Sequence, residues 1–465
     1  MEKTVDVAII GAGPAGYISA IRFAQLGKRV VLIEKEKIGG ACLNHGCVPM
    51  KALLTVAKTL KSLKKGDRMG IVVSQASVDF AKVNGWNHSV MDRFRKGIEF
   101  ILKSNGIETV KGSATIEAND RVLVQPQGDI INAKTIVIAT GSRPSDLPGL
   151  RFDSKRIISS DDIFELKSLP KNLVIVGGGV IGVEVATAFA EMGTKVTIVE
   201  IMDQLLPGWS RDLVVPVVDS LAKMGVDINL ATKVTELKYS MENVLVSLEG
   251  KATIVAEYVL VAVGRRPNTD SMNLDRIGIV MDKKGFITVN NRLETNIKGI
   301  FAAGDVTGIP YLAHRSSEQG YSIAEIASGI QETYNGPYIP AVVYSDPEVA
   351  VVGMDETEAE RHGIATIIGK FAFAASARAM TMGRMEGFVK LVGEKATGKL
   401  LGAHIVGASA SDLISECVLA LQNSMSLEQI ASAVHPHPTL SEAIMEAAKM
   451  AVGKPLHGDT TEKAR

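Results

Sequence analysis

The chain has 465 residues, 46% hydrophobic and 22% charged, with 44 glycines, which suits about three domains with large buried cores and excludes a disordered or fibrous chain. Its 51 Lys and Arg balance 51 Asp and Glu, so a formal net charge of zero leaves no bulk positive field to collect nucleic acid or anionic lipid, and neither is an expected partner. Three cysteines exclude a disulfide scaffold and favour a reducing compartment, so the cytoplasm is the expected location.

From the N-terminus, Lys3 leads directly into the apolar run Val5-Asp6-Val7-Ala8-Ile9-Ile10, without the hydrophobic core or cleavage site of a secretory signal. The run breaks into Gly11-Ala12-Gly13-Pro14-Ala15-Gly16, continues as a helical stretch to about Leu26, and gives way to a second β-branched run ending at Glu34. The same order recurs from Asn172: a strand to Val176, the turn Gly177-Gly178-Gly179-Val180-Ile181-Gly182, a helix to about Met192, and a strand ending at Glu200. Gly11 precedes Glu34 by 23 positions and Gly177 precedes Glu200 by 23, so the chain repeats one βαβ unit. Residues 173–190 form the most apolar long window, but Glu184 and the glycines inside it read as strand, loop and helix rather than a bilayer span.

Glycines at this spacing (Gly11, Gly13 and Gly16; Gly177, Gly179 and Gly182) let the backbone turn tightly, approach a pyrophosphate and pack helix on strand, while the helix N-terminus offers free N–H groups to the anion. Glu34 and Glu200 stand where a carboxylate accepts ribose hydroxyls. A 2′-phosphate would be repelled by Glu200, and residues 201–204 supply no cation, so NAD is favoured over NADP.

Between the strand ends lies Gly39-Gly40-Ala41-Cys42-Leu43-Asn44-His45-Gly46-Cys47-Val48-Pro49-Met50-Lys51. On a regular helix a five-residue step separates Cα atoms by roughly 8.7 Å, beyond the approximately 4.4–6.8 Å a disulfide accepts. The pair closes only where the helix is irregular, and Asn44, Gly46 and Pro49 supply irregularity. Two inert thiols, or half of a zinc site with His45, are the alternatives; zinc usually takes four ligands, and Cys417 lies far off among helical residues, where it reads as a small core hydrophobe. No metal is expected. Lys51 and Glu184, taken alone, read as solvent-facing helix charges.

Residues 136–144 echo residues 259–267 in strand, glycine and Arg-Pro punctuation, and the stretches 145–149 and 268–273 are natural boundaries. A strand ending in Gly304-Asp305 reads as the chain returning to its first unit. From about Gly336 the texture becomes α+β, with strands near 341–352 and 387–392 and helices near 410–422 and 440–452. The expected architecture is α/β: two Rossmann-like dinucleotide-binding domains and a C-terminal α+β domain, with segments 1–148, 149–268, 269–336 and 337–465. Near the end, His435-Pro436-His437-Pro438-Thr439-Leu440-Ser441-Glu442 has two readings: Thr439 and Glu442 as a capping box, or an imidazole serving as proton acceptor for a thiol with a carboxylate to orient it. Residues 457–465 are polar and expected to fray.

These motifs, with Gly264 to Pro267, Leu312-Ala313-His314 and Asp346-Pro347-Glu348, run through nearly the whole chain and resemble the FAD-dependent pyridine nucleotide-disulfide oxidoreductases. The resemblance implies that the first unit binds FAD through Gly11, Gly13, Gly16, Glu34, Lys51, Gly112, Thr140, Gly141, Ser142, Asp305, Leu312, Ala313 and His314. It implies that the second binds NAD through Gly177, Gly179, Gly182, Glu184, Glu200, Val234 and Gly264. It further implies a homodimer formed by the third domain, with His437, oriented by Glu442, delivered to a redox-active Cys42–Cys47 disulfide in the other subunit, and Lys51 paired with Glu184. The implied reaction is oxidation of a protein-bound dihydrolipoyl dithiol, His437 taking a thiol proton, Cys42 undergoing attack, Cys47 passing electrons to FAD, and NAD⁺ accepting hydride. A lipoyl-bearing carrier or a 2-oxoacid dehydrogenase complex is the implied partner.

Around the disulfide the chain has Ala41, His45 and Met50 where such proteins usually carry Thr, a small or apolar residue, and Ser; His45 adds a titrating group beside the thiols. A mercuric-ion reductase calls for a second cysteine pair near the C-terminus, which is lacking after Cys417, and glutathione-type reductases usually take NADP. The remaining alternatives are a related reductase acting on another disulfide and a redox-silent FAD-binding subunit of a larger complex.

Overall fold

The computed structural model describes residues 1–146, 149–336 and 338–457. Residues 147–148 and 337, at two expected boundaries, and 458–465, most of the tail expected to fray, lie outside the described residues. β1 (Glu2–Ile10) ends in four residues that are each 4% exposed or less, the continuous burial of a parallel strand covered on both faces. α1 (Pro14–Gln25) opens on Pro14, where a missing N–H costs nothing, and leads to β2 (Val30–Glu34), parallel to β1. Three helices follow: α2 (Gly40–Asn44), α3 (Cys47–Lys64) and α4 (Phe80–Ser104). β3 (Glu108–Lys111), β4 (Ser113–Ala118), β5 (Arg121–Gln125) and β6 (Asp129–Ile138) complete the sheet in the order β3-β2-β1-β6-β5-β4.

The second unit repeats the plan. After β7 (Ser142–Pro144) and β8 (Ile157–Ile158), β9 (Asn172–Val176), α5 (Val180–Met192) and β10 (Lys195–Val199) reproduce the βαβ start, so the apolar window is strand, turn and helix. Among the described residues no helix is long and apolar enough to cross a membrane. α6 (Arg211–Lys223) and β11 (Asp227–Asn229) follow, then a small antiparallel sheet of β12 (Val234–Ser240), β13 (Asn243–Leu248) and β14 (Ile254–Ala256). β15 (Tyr258–Val261) returns to the main sheet, order β11-β10-β9-β15-β8. The echoed Arg-Pro segments do more than end their units: β16 (Arg265–Pro267) pairs antiparallel with β7, Arg266 opposite Arg143, and ties the two units together. β17 (Ile300–Ala302) then pairs in parallel with β6, returning the chain to the first sheet ahead of α7 (Ala313–Ala327).

The third unit is a five-stranded antiparallel sheet. β18 (Ala341–Val343) and β19 (Glu348–Gly353) precede α8 (Glu356–Arg361) and β20 (Thr366–Ala372); α9 (Ala377–Thr381), β21 (Phe388–Glu394) and β22 (Leu400–Gly407) complete it in the order β18-β19-β22-β21-β20. α10 (Ala410–Gln422), α11 (Leu427–Ser432) and α12 (Glu442–Ala451) share its core. A further apolar core crosses unit boundaries: Leu53, Leu54 and Ala57 of α3 pack in one cluster with Val183, Ala186 and Phe189 of α5 and with Val343 and Val349 of the third unit. The helix that begins at Cys47 is therefore packed by all three units.

The third glycine of each fingerprint has a steric cause. A Cβ on Gly16 would lie 1.8 Å from the Gly11 carbonyl oxygen, and one on Gly182 would lie 2.0 Å from that of Gly177, whereas a Cβ on Gly179 meets nothing within 4 Å. Gly182→Ala is expected to cost about 1–3 kcal/mol of stability by overpacking, and Gly179→Ala less than about 1 kcal/mol. Equal losses in thermal unfolding would contradict the packing explanation.

Candidate active site

The helix breaks between the two cysteines. α2 stops at His45, with φ −143°, and Gly46, with φ −141° and ψ −107°, leaves helical geometry before Cys47 opens α3. Gly40 brings α2 onto the first nucleotide turn, since a Cβ there would lie 2.7 Å from the Cα of Gly13. Asn44 is the anchor: its amide donates to the carbonyls of Ile38 (3.1 Å) and Gly40 (2.9 Å), and its oxygen accepts from Arg95 of α4 (3.0 Å). Met50 is buried in the apolar core, and Asn87 of α4 donates to the Pro49 carbonyl (3.2 Å).

Both thiols are free, and their surroundings divide the charge between them. The Cys42 thiol donates to Cys47, and burial adds to the effect, so the Cys42 pKa rises far above the ordinary thiol range. Acceptance of that hydrogen bond lowers Cys47 to about 7; burial and Glu184 oppose the shift and Lys51 assists it. Cys47 opens onto a cleft while protein crowds its other sides, and its place as first residue of an 18-residue helix sets it at a positive dipole end. Cys47 therefore holds the negative charge and Cys42 the proton.

One turn along α3, Lys51 Nζ lies 2.9 and 3.1 Å from the two carboxylate oxygens of Glu184 on α5. Glu184 is not the solvent-facing charge its sequence context suggests: its side chain is 5% exposed. It also accepts the backbone N–H of Tyr344 (2.9 Å), whose ring lies 4.3 Å from Lys51 Nζ. Burial pulls the Lys51 pKa down, but the charges of Glu184 and Cys47 outweigh it and the net shift is upward.

Glu34 and Glu200 show the repeat again at the level of single hydrogen bonds. Glu34 accepts the N–H of Ala12 (2.7 Å) in the glycine turn and that of Glu36 (2.7 Å); Glu200 accepts those of Gly178 (2.6 Å) and Met202 (2.8 Å). Each carboxylate thus ties a strand end to its glycine turn, and its remaining lone pairs stay available to hydroxyls. Ser142 donates to Asp305 (2.6 Å) and accepts from Arg265 (2.8 Å). Burial raises the Asp305 pKa, only partly offset by Ser142 and Arg265.

A single cleft of about 1970 Å³ joins these groups, well above the roughly 300–1,000 Å³ of ordinary ligand pockets. Its walls hold Cys42, Cys47, Lys51 and Glu184, the first two glycines of both fingerprints, Glu34 and Glu200, residues 140–142 and 312–314, Asp305, Val234 and Gly264. Gly16 and Gly182 lie behind it as packing positions, and Gly112 supports Glu34 from the rear, donating to its carbonyl (2.9 Å). His45, whose Nδ1 is buried and without a hydrogen-bond partner, borders the cleft, as does Asp161, whose pKa burial raises against the opposing pull of Arg265.

His437 and Glu442 do not border this cleft. His437 Nδ1 lies 2.9 Å from Glu442 Oε1 and its side chain is 71% exposed, so Nδ1 donates to the carboxylate and the contact leaves Nε2 without a protein partner among the described residues. The expected capping box is half formed: Glu442 accepts the Thr439 N–H (2.8 Å), but the Thr439 hydroxyl turns to Pro436 O and Ser441, and Ser441 is the N-cap of α12. His435, 7% exposed, differs from His437, because Glu416 (2.9 Å) and the Ala433 carbonyl (3.1 Å) occupy both its nitrogens; the bond to Glu416 raises its pKa and both nitrogens act as donors. Sequence reasoning passed over Tyr344 and the stripe of Trp86, Val90 and Phe94 on α4, which borders the cleft at a four-residue spacing that was legible as one helix face.

In reduced protein, labelling of Cys47 by iodoacetamide should rise with a midpoint near pH 7, the thiolate forming above it. Lys51→Met should move that midpoint up by at least about half a unit. A midpoint near 9 in the unaltered protein would contradict the charge assignment.

A family model described as pyridine nucleotide-disulphide oxidoreductase matches residues 5–320, and the dimerisation domain of the same family matches residues 339–448. The chain is 43% identical to the dihydrolipoyl dehydrogenase of Geobacillus stearothermophilus and 42% identical to that of Bacillus subtilis (strain 168), each over 97% of both chains. Among solved structures, LpdA from Mycobacterium tuberculosis superposes with a TM-score of 0.90 at 28% identity, covering 96% of this chain and 99% of that one. The Cu(II) complex of RclA, an HOCl-induced flavoprotein disulfide reductase from Escherichia coli, gives 0.87 at 28% identity, covering 96% and 99%. The chain belongs to the pyridine nucleotide-disulphide oxidoreductases.

Proposed function

We propose that the chain oxidises dihydrolipoyl groups to the lipoyl disulfide and reduces NAD⁺, the activity of a dihydrolipoyl dehydrogenase. The observation that carries this reading is a thiolate-forming cysteine pair opening into one cleft with two dinucleotide turns, in a chain that matches enzymes of that name over nearly its full length. The cofactors are FAD and NAD. The cleft fits both: each glycine turn lies at a helix N-terminus on its wall, each has its strand-end carboxylate, and a Cβ on Gly179 would meet open space. The turn at Gly11 and Gly13, with Glu34, residues 140–142, Asp305 and residues 312–314, would hold FAD; Gly177, Gly179, Glu200, Val234 and Gly264 would hold NAD. We take residues 1–148 with 269–336 as the FAD unit, 149–268 as the NAD unit and 337–465 as the dimerisation unit of a cytoplasmic homodimer.

In the oxidised protein Cys42 and Cys47 share a disulfide. His437 Nε2, supplied by the other protomer, takes a proton from one dihydrolipoyl thiol, and the thiolate attacks Cys42 Sγ. The S–S bond breaks and Cys47 leaves as a thiolate, the better leaving group because its pKa is the lower of the two. The second substrate thiol attacks the sulfur bound to Cys42, releasing lipoyl disulfide, and its proton ends on Cys42, whose high pKa retains it. When bound, FAD supplies the two-electron chemistry that passes the electron pair to NAD⁺ and restores the disulfide. Lys51 stabilises the Cys47 charge, and Glu442 holds His437 in the tautomer that leaves Nε2 free. A lipoyl carrier protein, alone or in a 2-oxoacid dehydrogenase complex, is the proposed donor.

Reduction of NAD⁺ by dihydrolipoamide should be strong in the FAD-loaded protein, lost in Cys42→Ser and reduced by about 10²–10⁴ in His437→Gln. Activity that survives Cys42→Ser, or a marked preference for NADPH and another disulfide, would overturn the reading.

A further inference from the structure

Four residues of α3 fall on one helical face: Cys47, Lys51, Lys58 and Lys61. Three of them meet the short segment 344–348 of the third unit. Tyr344 lays its ring 4.3 Å from Lys51 Nζ and gives its N–H to the Lys51 partner Glu184. Two turns on, Lys58 Nζ lies 2.6 Å from Glu348, whose other oxygen accepts the Ser411 hydroxyl (2.7 Å) at the start of α10. Lys61 pairs with Asp346, 3% exposed, which also binds Arg384. Burial pushes the Asp346 pKa up, but Arg384 and Lys61 outweigh it and hold the carboxylate charged. Exposed ion pairs contribute little, but here each carboxylate is buried and shared with a second donor, so removing a partner strands a charge away from water.

We propose that segment 344–348 is a positioning element for the thiol helix, fixing α3 along its axis and seating the Lys51 ammonium against Glu184, beside Cys47. The apolar core that α3 shares with α5 is non-directional, and three lysine contacts spread over about three turns, from Lys51 to Lys61, add directional contacts along the helix axis. The groups whose charge bears on Cys47 are Cys42 on α2, Lys51 on α3 and Glu184 on α5. Of these, Lys51 and Glu184 are touched by Tyr344. The unit that matches the dimerisation domain thereby bears on the chemistry of the thiols as well as on assembly.

The test is the pH profile of Cys47 labelling by iodoacetamide in reduced, FAD-loaded protein, read by mass spectrometry. Tyr344→Leu and Glu348→Gln should each raise the midpoint by about half a unit or more, roughly threefold less thiolate below the midpoint. Tyr344→Phe, which keeps the ring, should follow the unaltered protein. If Tyr344→Leu does not fold, Glu348→Gln decides alone. An unchanged midpoint in Glu348→Gln, even with a lowered Tm, makes the segment merely structural and overturns the proposal, as does a Tyr344→Phe shift as large as that of Tyr344→Leu. No lipoyl substrate enters the measurement, so its outcome is separate from that of the activity assay.

Discussion

The structure depends on one ion pair, between the buried carboxylate of Glu184 and the half-buried ammonium of Lys51. Lys51 and Glu184 stand 133 positions apart, on helices of different units, and a backbone N–H and an aromatic ring from the third unit close around them. A carboxylate at 5% exposure is tolerable only with its partner in place; removing one side of such a pair typically costs about 3–5 kcal/mol. The shared core of α3, α5 and the third unit holds both helices in register for it. The pair is thus a fixed point for stability, and because Lys51 lies one turn from Cys47 its charge assists the Cys42 hydrogen bond in keeping negative charge on Cys47.

Around that point the chain arranges two copies of one device. The carboxylates of Glu34 and Glu200 bind equivalent amides in equivalent turns, and the ribbon of β7 and β16 links the units so that both turns open into one cleft. Separate clefts would leave two binding modules; a continuous one allows electrons to pass from a thiol at its wall to a nucleotide in the second unit.

What was legible in the sequence was local. The fingerprints, the 23-residue spacing to each carboxylate and the irregular step between Cys42 and Cys47 are written in adjacent residues, and the strands, helices and helix break follow them. What was not legible depends on contacts distant in sequence. Glu184, taken alone, reads as a surface charge until α3 packs on α5; Tyr344 has no local signature, and Asp346-Pro347-Glu348 was legible as a motif but not in its contacts, because their partners lie on a helix some 285 positions earlier. The half-formed capping box shows the same limit: the 439–442 spacing placed a carboxylate on the Thr439 N–H, and the expected contact of that carboxylate with His437 is present, but the Thr439 hydroxyl turns to Pro436 O and Ser441 instead of capping α12. His435 and His437 look alike in composition; the family resemblance singles out His437, and the structure adds the physical difference, two acceptors on the ring of the first and one on that of the second.

The cleft holds the thiols, the charge pair and both turns, while the exposed His437 lies off it, so the proposed site is assembled from two protomers. The most direct measurement is subunit mixing: Cys42→Ser and His437→Gln chains, co-refolded and assayed for NAD⁺ reduction by dihydrolipoamide. A site built across protomers leaves one of the two sites in each hybrid dimer intact, and random mixing restores about a quarter of the unaltered activity from two inactive parents. A mixture as inactive as its parents, with hybrid dimers shown to have formed, would contradict the account.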